Sequence, residues 1–446
     1  MTFLKIGSLR VSSRGVNGRS VMSTSGAVSL LLIGLNAPIL HAQALTLESA
    51  IELAIQNDPW LKSNLFQEQG FRASAVSANQ LPDPKLTLGL ANLPTDSFDF
   101  HQEAMTQAVL GVSQSFPAGK TLELGSEKLS TKADQTFYAR ENRVAQLRQA
   151  ISQIWVEMYR YEHTLSVLSV NKTLLESLKE SLSSSYSARL NRVNQQALVN
   201  NELEIAKIDE RAIQIQQSLQ QAKAKLSQYS TAFQNVEQLQ FVALTTELQA
   251  VKELDVSPDS LAQHPAVQWW NLQQDIYEID QSLVEQQFKP QWTLNLGYGY
   301  RGSDLSGRER ADLASVSVSM NLPFFSRQRL DADTKAAISS QSSAGHERDL
   351  KLNELSAQLQ SVQSDLMLLE QRVKLYQNTL LPGYRKSYEV ALNAYRSSES
   401  SYRDVMLSKI MEMNARIELI QLQSDQFKRL TDLQYLATQS LEGAQS

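Results

Sequence analysis

The chain of 446 residues has no cysteine. That excludes disulfides, thiolate metal sites and a lipid carried on an N-terminal cysteine. Glycine and proline are scarce, at 17 and 11 residues. No glycine occurs from 126 to 296 and no proline from 118 to 257, so long stretches lack both of the strongest helix breakers. The five histidines (His41, His101, His163, His264, His346) are scattered, and His346-Glu347 lacks the second histidine of a zinc helix motif. The sequence has no G-x-S-x-G, no phosphate loop and no dinucleotide fingerprint. An enzyme is therefore not expected, nor a cofactor or a metal site. The nine methionines stand mostly at heptad or strand positions and read as packing. The formal net charge of −5 argues against nucleic acid as a partner.

What is present begins with a secretory leader, expected over residues 1–44. Lys5, Arg10, Arg14 and Arg19 precede the apolar segment AVSLLLIGL (27–35), and no acid precedes Glu48. Ala42-Gln43-Ala44 has the small-residue pattern of a cleavage site. The apolar run is shorter than the roughly 20 residues of a spanning helix. Loss of four positive charges would take the net charge to −5 − 4 = −9.

The mature chain is a tandem duplication. Pro84 to Pro117 and Pro290 to Pro323 both span 33 residues, since 117 − 84 = 323 − 290 = 33. Pro59 and Pro265 each stand 25 residues upstream, and all three pairs share one offset of 206. The repeats are expected at 45–257 and 258–446. Each contains a strand pair, about 85–116 and about 291–322. Leu86, Leu88 and Leu90 alternate with small or polar residues, as do Trp292, Leu294, Leu296, Tyr298 and Tyr300, and Val316, Val318 and Met320. Strand 107–116 is weaker because Gln114 falls on the apolar side. Period two with one oily and one small polar face, over roughly 9–11 residues, is the pattern of a tilted membrane strand or of a half-buried soluble sheet; the aromatics on the oily face and the leader favour the first.

A long helical hairpin is expected after each pair, about 118–235 and about 325–440. Apolar residues keep a seven-residue rhythm: Leu147, Ile154, Tyr161, Leu168 and Leu175 descend, and Leu198, Ile205, Ala212, Leu219 and Leu226 return. Leu359, Leu366, Val373 and Leu380 repeat the pattern in the second half. Hairpin tips are expected near 183–195 and 394–404, an irregular belt at 236–258, and a kink at Pro382-Gly383. Further helix is expected at 45–80, broken near Asn57-Asp58-Pro59, and at 259–287. Four strands cannot close a barrel, and an open sheet edge is not tolerated in lipid. Partner copies are therefore required; three give 3 × 4 = 12 strands, and two giving eight also close.

NDPWL (57–61) and QHPAV (263–267), the prolines bracketing each strand pair, and the tip YRSSESSYRDVML (395–407) together resemble the TolC-like outer-membrane efflux protein family. The resemblance runs from about 45 to 440. LPDPKLTLGLANLPTDSFDF (81–100) is most similar to the outer-membrane components of heavy-metal cation efflux systems. The family implies a homotrimer in outer-membrane lipid, a 12-stranded β-barrel over an α-helical barrel, working with a periplasmic adaptor and an inner-membrane pump. Such a channel conducts passively; drug efflux and type I protein secretion are alternatives to heavy-metal cations. The family also implies an acidic pore ring at an Asp-Val-Leu-Asp stretch. Here that stretch reads Asp404, Val405, Met406, Leu407, with Arg403 adjacent and the second acid absent. Asp404 and Arg403 are thus candidate constriction residues at the periplasmic tip, and the plainer role for Asp404 is helix capping. Gln195 is the neutral first-half counterpart. A secreted coiled-coil stalk or adhesin is the rival of another class; it leaves the strand pairs unexplained.

Overall fold

A computed structural model describes residues 46–187, 195–231, 233, 256–322 and 324–439. The expected leader, most of the 236–258 belt and most of the first tip lie outside the described residues. Two short helices open the chain, α1 (Leu47–Asn57) and α2 (Pro59–Ala78). Thr46 forms a capping box with Ser49, and Asp58 caps α2 by accepting from Leu61 N–H at 3.0 Å. The expected break at Asn57-Asp58-Pro59 is therefore present, because the residue before proline is pushed out of the helical region.

Strands β1 (Lys85–Ala91) and β2 (Gln107–Phe116) follow, and β3 (Trp292–Tyr300) and β4 (Leu313–Met320) belong to the second half. All four form one antiparallel sheet in the order β1-β2-β3-β4. The pairing stacks like on like. Leu88 faces Leu110, which faces Tyr298; Thr87 faces Gly111, which faces Gly297, which faces Ser315. One face is thus mainly leucine, valine and aromatic, and the other mainly glycine, serine and threonine, with Asn295, Val109 and Leu313 among them. The oily face is open, with Leu88 74% and Val316 71% exposed. Gln114, the residue that weakened the pattern, donates to Pro82 O at 2.8 Å, so its amide is satisfied where it lies among apolar neighbours. Beyond the strands, the loops of the two halves are tied together: Arg310 donates to Glu103 O at 2.8 Å, and His101 Nδ1 meets Ser303 O at 2.9 Å.

The strands feed long helices. α3 (Thr121–Ser187) has 67 residues, roughly 100 Å at about 1.5 Å per residue. Gly119 makes the turn into it at φ +51, a conformation that favours glycine. α4 (Gln195–Ser227) packs back along the tip end of α3, where Lys172 bonds Asp209 at 2.6 Å. It ends at Ser227, short of the expected 235. A 3₁₀ turn at Pro258–Gln263 precedes α5 (Pro265–Gln286). The helix expected over 259–287 is therefore broken at His264, for the same pre-proline reason as at Asp58. Asp58 and His264 are repeat equivalents, since 264 − 58 = 206. α2 and α5 flank the strand end of α3, through Arg140 to Asn64 at 3.0 Å and Gln135 to Gln273 at 3.0 Å.

The second descent consists of α6 (Arg327–Leu375), a π turn at Tyr376–Leu380 and α7 (Leu381–Arg396). Leu381 N–H reaches back five residues to Tyr376 O. The irregularity expected at Pro382-Gly383 is this π turn, placed just ahead of the proline that cannot donate. α8 (Tyr402–Leu436) returns between α3 and the α6–α7 rod. The heptad rows form the core as expected: Ile151, Ile154 and Met158 pack with Leu219, Ala222 and Leu226, and Leu355, Leu359 and Val362 with Leu433 and Leu436.

Candidate functional site at the helical tip

The second tip is built by helix termination. α7 ends at Arg396, Ser398 takes φ +68, and Ser401 caps α8. Asp404 is the third residue of α8 and the reciprocal half of a capping box. Its Oδ2 accepts from Ser401 N–H at 3.1 Å, Ser401 Oγ at 2.7 Å and Ser400 Oγ at 3.0 Å. Ser401 Oγ in turn accepts from Asp404 N–H. The bond from the Ser401 side chain, its backbone N–H and Ser400 together hold the Asp404 carboxyl below the usual carboxylate range, with Arg403 adding a smaller push. Asp404 is therefore charged, and it is exposed, as are Arg403 and Leu407; Val405 and Met406 are buried. The capping role expected for Asp404 is what its geometry provides. The arrangement leaves the charge at the surface of the tip.

Two features of the tip were not singled out from the sequence. Tyr402, 5% exposed, donates its hydroxyl to Asn201 Oδ1 at 2.7 Å. Asn201, fully buried, donates to Leu175 O at 3.1 Å. One polar chain thus joins α8, α4 and α3 inside an apolar cluster of Leu168, Leu175, Ile208, Met406 and Met413. Burial raises the Tyr402 hydroxyl well above its ordinary pKa, so it remains a donor. Asn201 lies in the row Asn201, Ile208, Ile215, Ala222 at seven-residue spacing. A lone asparagine in an apolar heptad row is the signal that marks it.

The second feature is Glu412, a buried acid two turns above Asp404. Lys409 Nζ donates to it at 2.8 Å. Arg385 of α7 and Arg416 approach at 3.8 and 4.0 Å. Lys409 also stands 4.7 Å over the Tyr388 ring. These groups fasten α7 to α8. Among the described residues no group of three or more histidine, aspartate or glutamate side chains could hold a metal ion. No described helix is long and apolar enough to cross a membrane.

Residues 256–438 match the family model for outer membrane efflux protein. No match is found among curated protein sequences. Solved structures match over most of the chain. The outer membrane protein VceC of Vibrio cholerae is 16% identical over 88% of this chain and 96% of its own, with a TM-score of 0.71. CusC, described in connection with transmembrane channel formation, is 17% identical over 88% and 92%, with a TM-score of 0.74. The Campylobacter jejuni CmeC outer membrane channel is 14% identical over 88% and 85%, with a TM-score of 0.70. The chain has the TolC-like channel fold of a helical barrel with a sheet portion, and its residues 256–438 carry the outer membrane efflux protein match.

Proposed function

We propose that the chain is the outer-membrane conduit of a tripartite efflux assembly, formed by three copies and conducting passively. The observation that carries this reading is the four-stranded sheet. Its oily face is exposed, and β1 and β4 each pair on one side only within the chain. Unpaired strand edges in lipid cost several kcal/mol per group, and three copies would close them as 12 strands. Aromatic rings mark both ends of the oily band. Phe116 pairs with Trp292 at one end, and Tyr300 stands at the other, roughly 26 Å away along the strand at about 3.3 Å per residue. That is the placing of interfacial girdles in outer-membrane barrels. The leader at 1–44 and the repeats at 45–257 and 258–446 belong to this reading. So do a periplasmic adaptor and an inner-membrane pump, which supplies the energy.

The tip is the gate in this proposal. Asp404 and Arg403 face the aqueous path at its constriction, and Tyr402–Asn201 holds the second hairpin against the first. The cargo proposed from the 81–100 resemblance is a heavy-metal cation, with selectivity residing in the pump. Organic cargo is the second reading, favoured by an aromatic cleft described below. Purified protein in detergent is expected to be a trimer by light scattering and to form discrete pores in planar bilayers. A soluble monomer without pores would refute the proposal. A deletion strain sensitive to metals but not to dyes would select the first cargo reading, and the reverse pattern the second.

A further inference from the structure

Helices α2, α3, α5 and α6 are neighbours in that order. One cleft of about 360 Å³ collects side chains from all four: Trp60, Tyr138, Trp269, Trp270 and Lys351. A cleft that gathers side chains from four successive helices fits the hollow side of a layer that closes around an axis. Asn142, also in the cleft wall, is 151 − 142 = 9 residues from Ile151, which packs in the core with Ala50, Ile51 and Ala54 of α1. Nine residues at about 100° each place the two on opposite faces. When further copies close the sheet, the helical layer closes with it and its hollow side becomes the tunnel wall.

We infer that this cleft is a contact site on the tunnel wall for planar aromatic organic anions. The inference rests on the conduit reading and on its second, organic-cargo form, for which it names a class of cargo. Three of the five tryptophans of the chain meet here. Trp269 and Trp270 stand edge to face with centroids 4.8 Å apart, so each fixes the other's ring. Trp60 is 43% exposed and presents an apolar surface to solvent. The cleft volume lies within the usual span for small-molecule sites.

Lys351 supplies the charge preference. Its ammonium meets Glu354 at 3.1 Å with both side chains partly exposed, a weak pair that a sulfonate or carboxylate can share. Arg143 is committed to the buried Asp58 at 2.8 Å. The cleft wall contains no histidine, carboxylate or thiolate, so a metal ion finds no ligand set in it. An open, shallow site of this kind binds weakly, as a conduit requires, because cargo must also leave.

The test uses the full chain in detergent and 3-nitrobenzenesulfonate, a planar aromatic anion that quenches tryptophan. Quenching is expected to saturate, whereas acrylamide gives a linear, unsaturating response. Lys351→Gln and Trp60→Ala are each expected to weaken the apparent affinity about fivefold, with unchanged circular dichroism. Cyclohexanesulfonate, which lacks the ring, is expected not to compete. Linear quenching by the nitro compound, or saturation untouched by both variants, overturns the proposal. Bilayer conductance of the same preparation tests the conduit separately: pores without saturable quenching sink the cleft, and saturable quenching without pores sinks the conduit.

Discussion

Tyr402 and Asn201 are joined by a buried hydrogen bond of 2.7 Å that spans 201 residues of sequence and links the second hairpin to the first. Tyr402→Phe would keep the ring and strand the Asn201 carboxamide oxygen. Leaving a buried acceptor unpaired costs about 1–3 kcal/mol. Since that bond exists only while the hairpins stay together, the cost falls on the closed state of the proposed gate. The variant is expected to open more often in planar bilayers, by about tenfold or more. Unchanged open probability would remove the pair from the gate.

Asp404 has a capping role and a proposed role as a fixed charge at the constriction, and one variant pair separates them. Asp404→Asn keeps an acceptor for the capping contacts and removes the charge; Asp404→Ala removes both. Each is expected to lower cation preference, read as the reversal potential in asymmetric salt. Only Asp404→Ala should also loosen the start of α8, by about 1 kcal/mol. Selectivity that both variants leave intact would confine Asp404 to capping.

His264 sets a pH dependence. It is fully buried, its Nδ1 accepts from Ala266 N–H at 3.2 Å and its Nε2–H donates to Tyr435 O at 3.1 Å. Burial is the largest influence and lowers its pKa to about 4. The sign follows from which state binds protons. Between the unfolded value of about 6.5 and about 4, the unfolded chain binds the proton and the folded chain does not. The contribution is therefore complete above about pH 6.5 and is lost as pH falls towards 4. Its size is on the order of 3 kcal/mol. Melting temperature is expected to drop from pH 7.5 to 5, and His264→Asn, which retains a capping acceptor, is expected to flatten that drop.

Leu88 and Ser315 lie on opposite faces of the sheet. In the proposed barrel an acid at Leu88 would be placed against lipid, whereas an acid at Ser315 would face the lumen. Charge on the lipid face of such a barrel costs up to about 2–4 kcal/mol near the midplane, less for acids than for bases. Leu88→Asp is expected to reduce the yield of the heat-modifiable assembled form, and Ser315→Asp to leave it near wild type. Equal effects would mean the faces are assigned the wrong way round.

Much of the fold was legible because periodicity is a long-range average. The strand alternations and heptad rows appear where expected, within a few residues. The break at His264 was missed although Asp58-Pro59 was read correctly. Histidine is an uncommon cap, and only the folded chain shows Nδ1 taking that part. The tip was legible only in outline. Asp404 stood out by its place after a turn, but Tyr402–Asn201 joins residues 201 positions apart, and single-sequence reading cannot pair them. The aromatic cleft was hidden for the same reason: Trp60 and Trp270 reach one wall only after α2 and α5 settle on either side of α3.

The π turn at Tyr376–Leu380 inserts one residue beyond the α-helical repeat, which rotates everything after it by about 100°. Above it, Leu355, Leu359, Val362 and Val373 are buried; α7, below it, has no buried residue. The rod is thus two lengths out of phase, joined at one wide turn. The lower length, rotated in this way, meets α8 through the charged Glu412 cluster where the upper meets it through leucine and valine, so one returning helix is held by two different chemistries along its length.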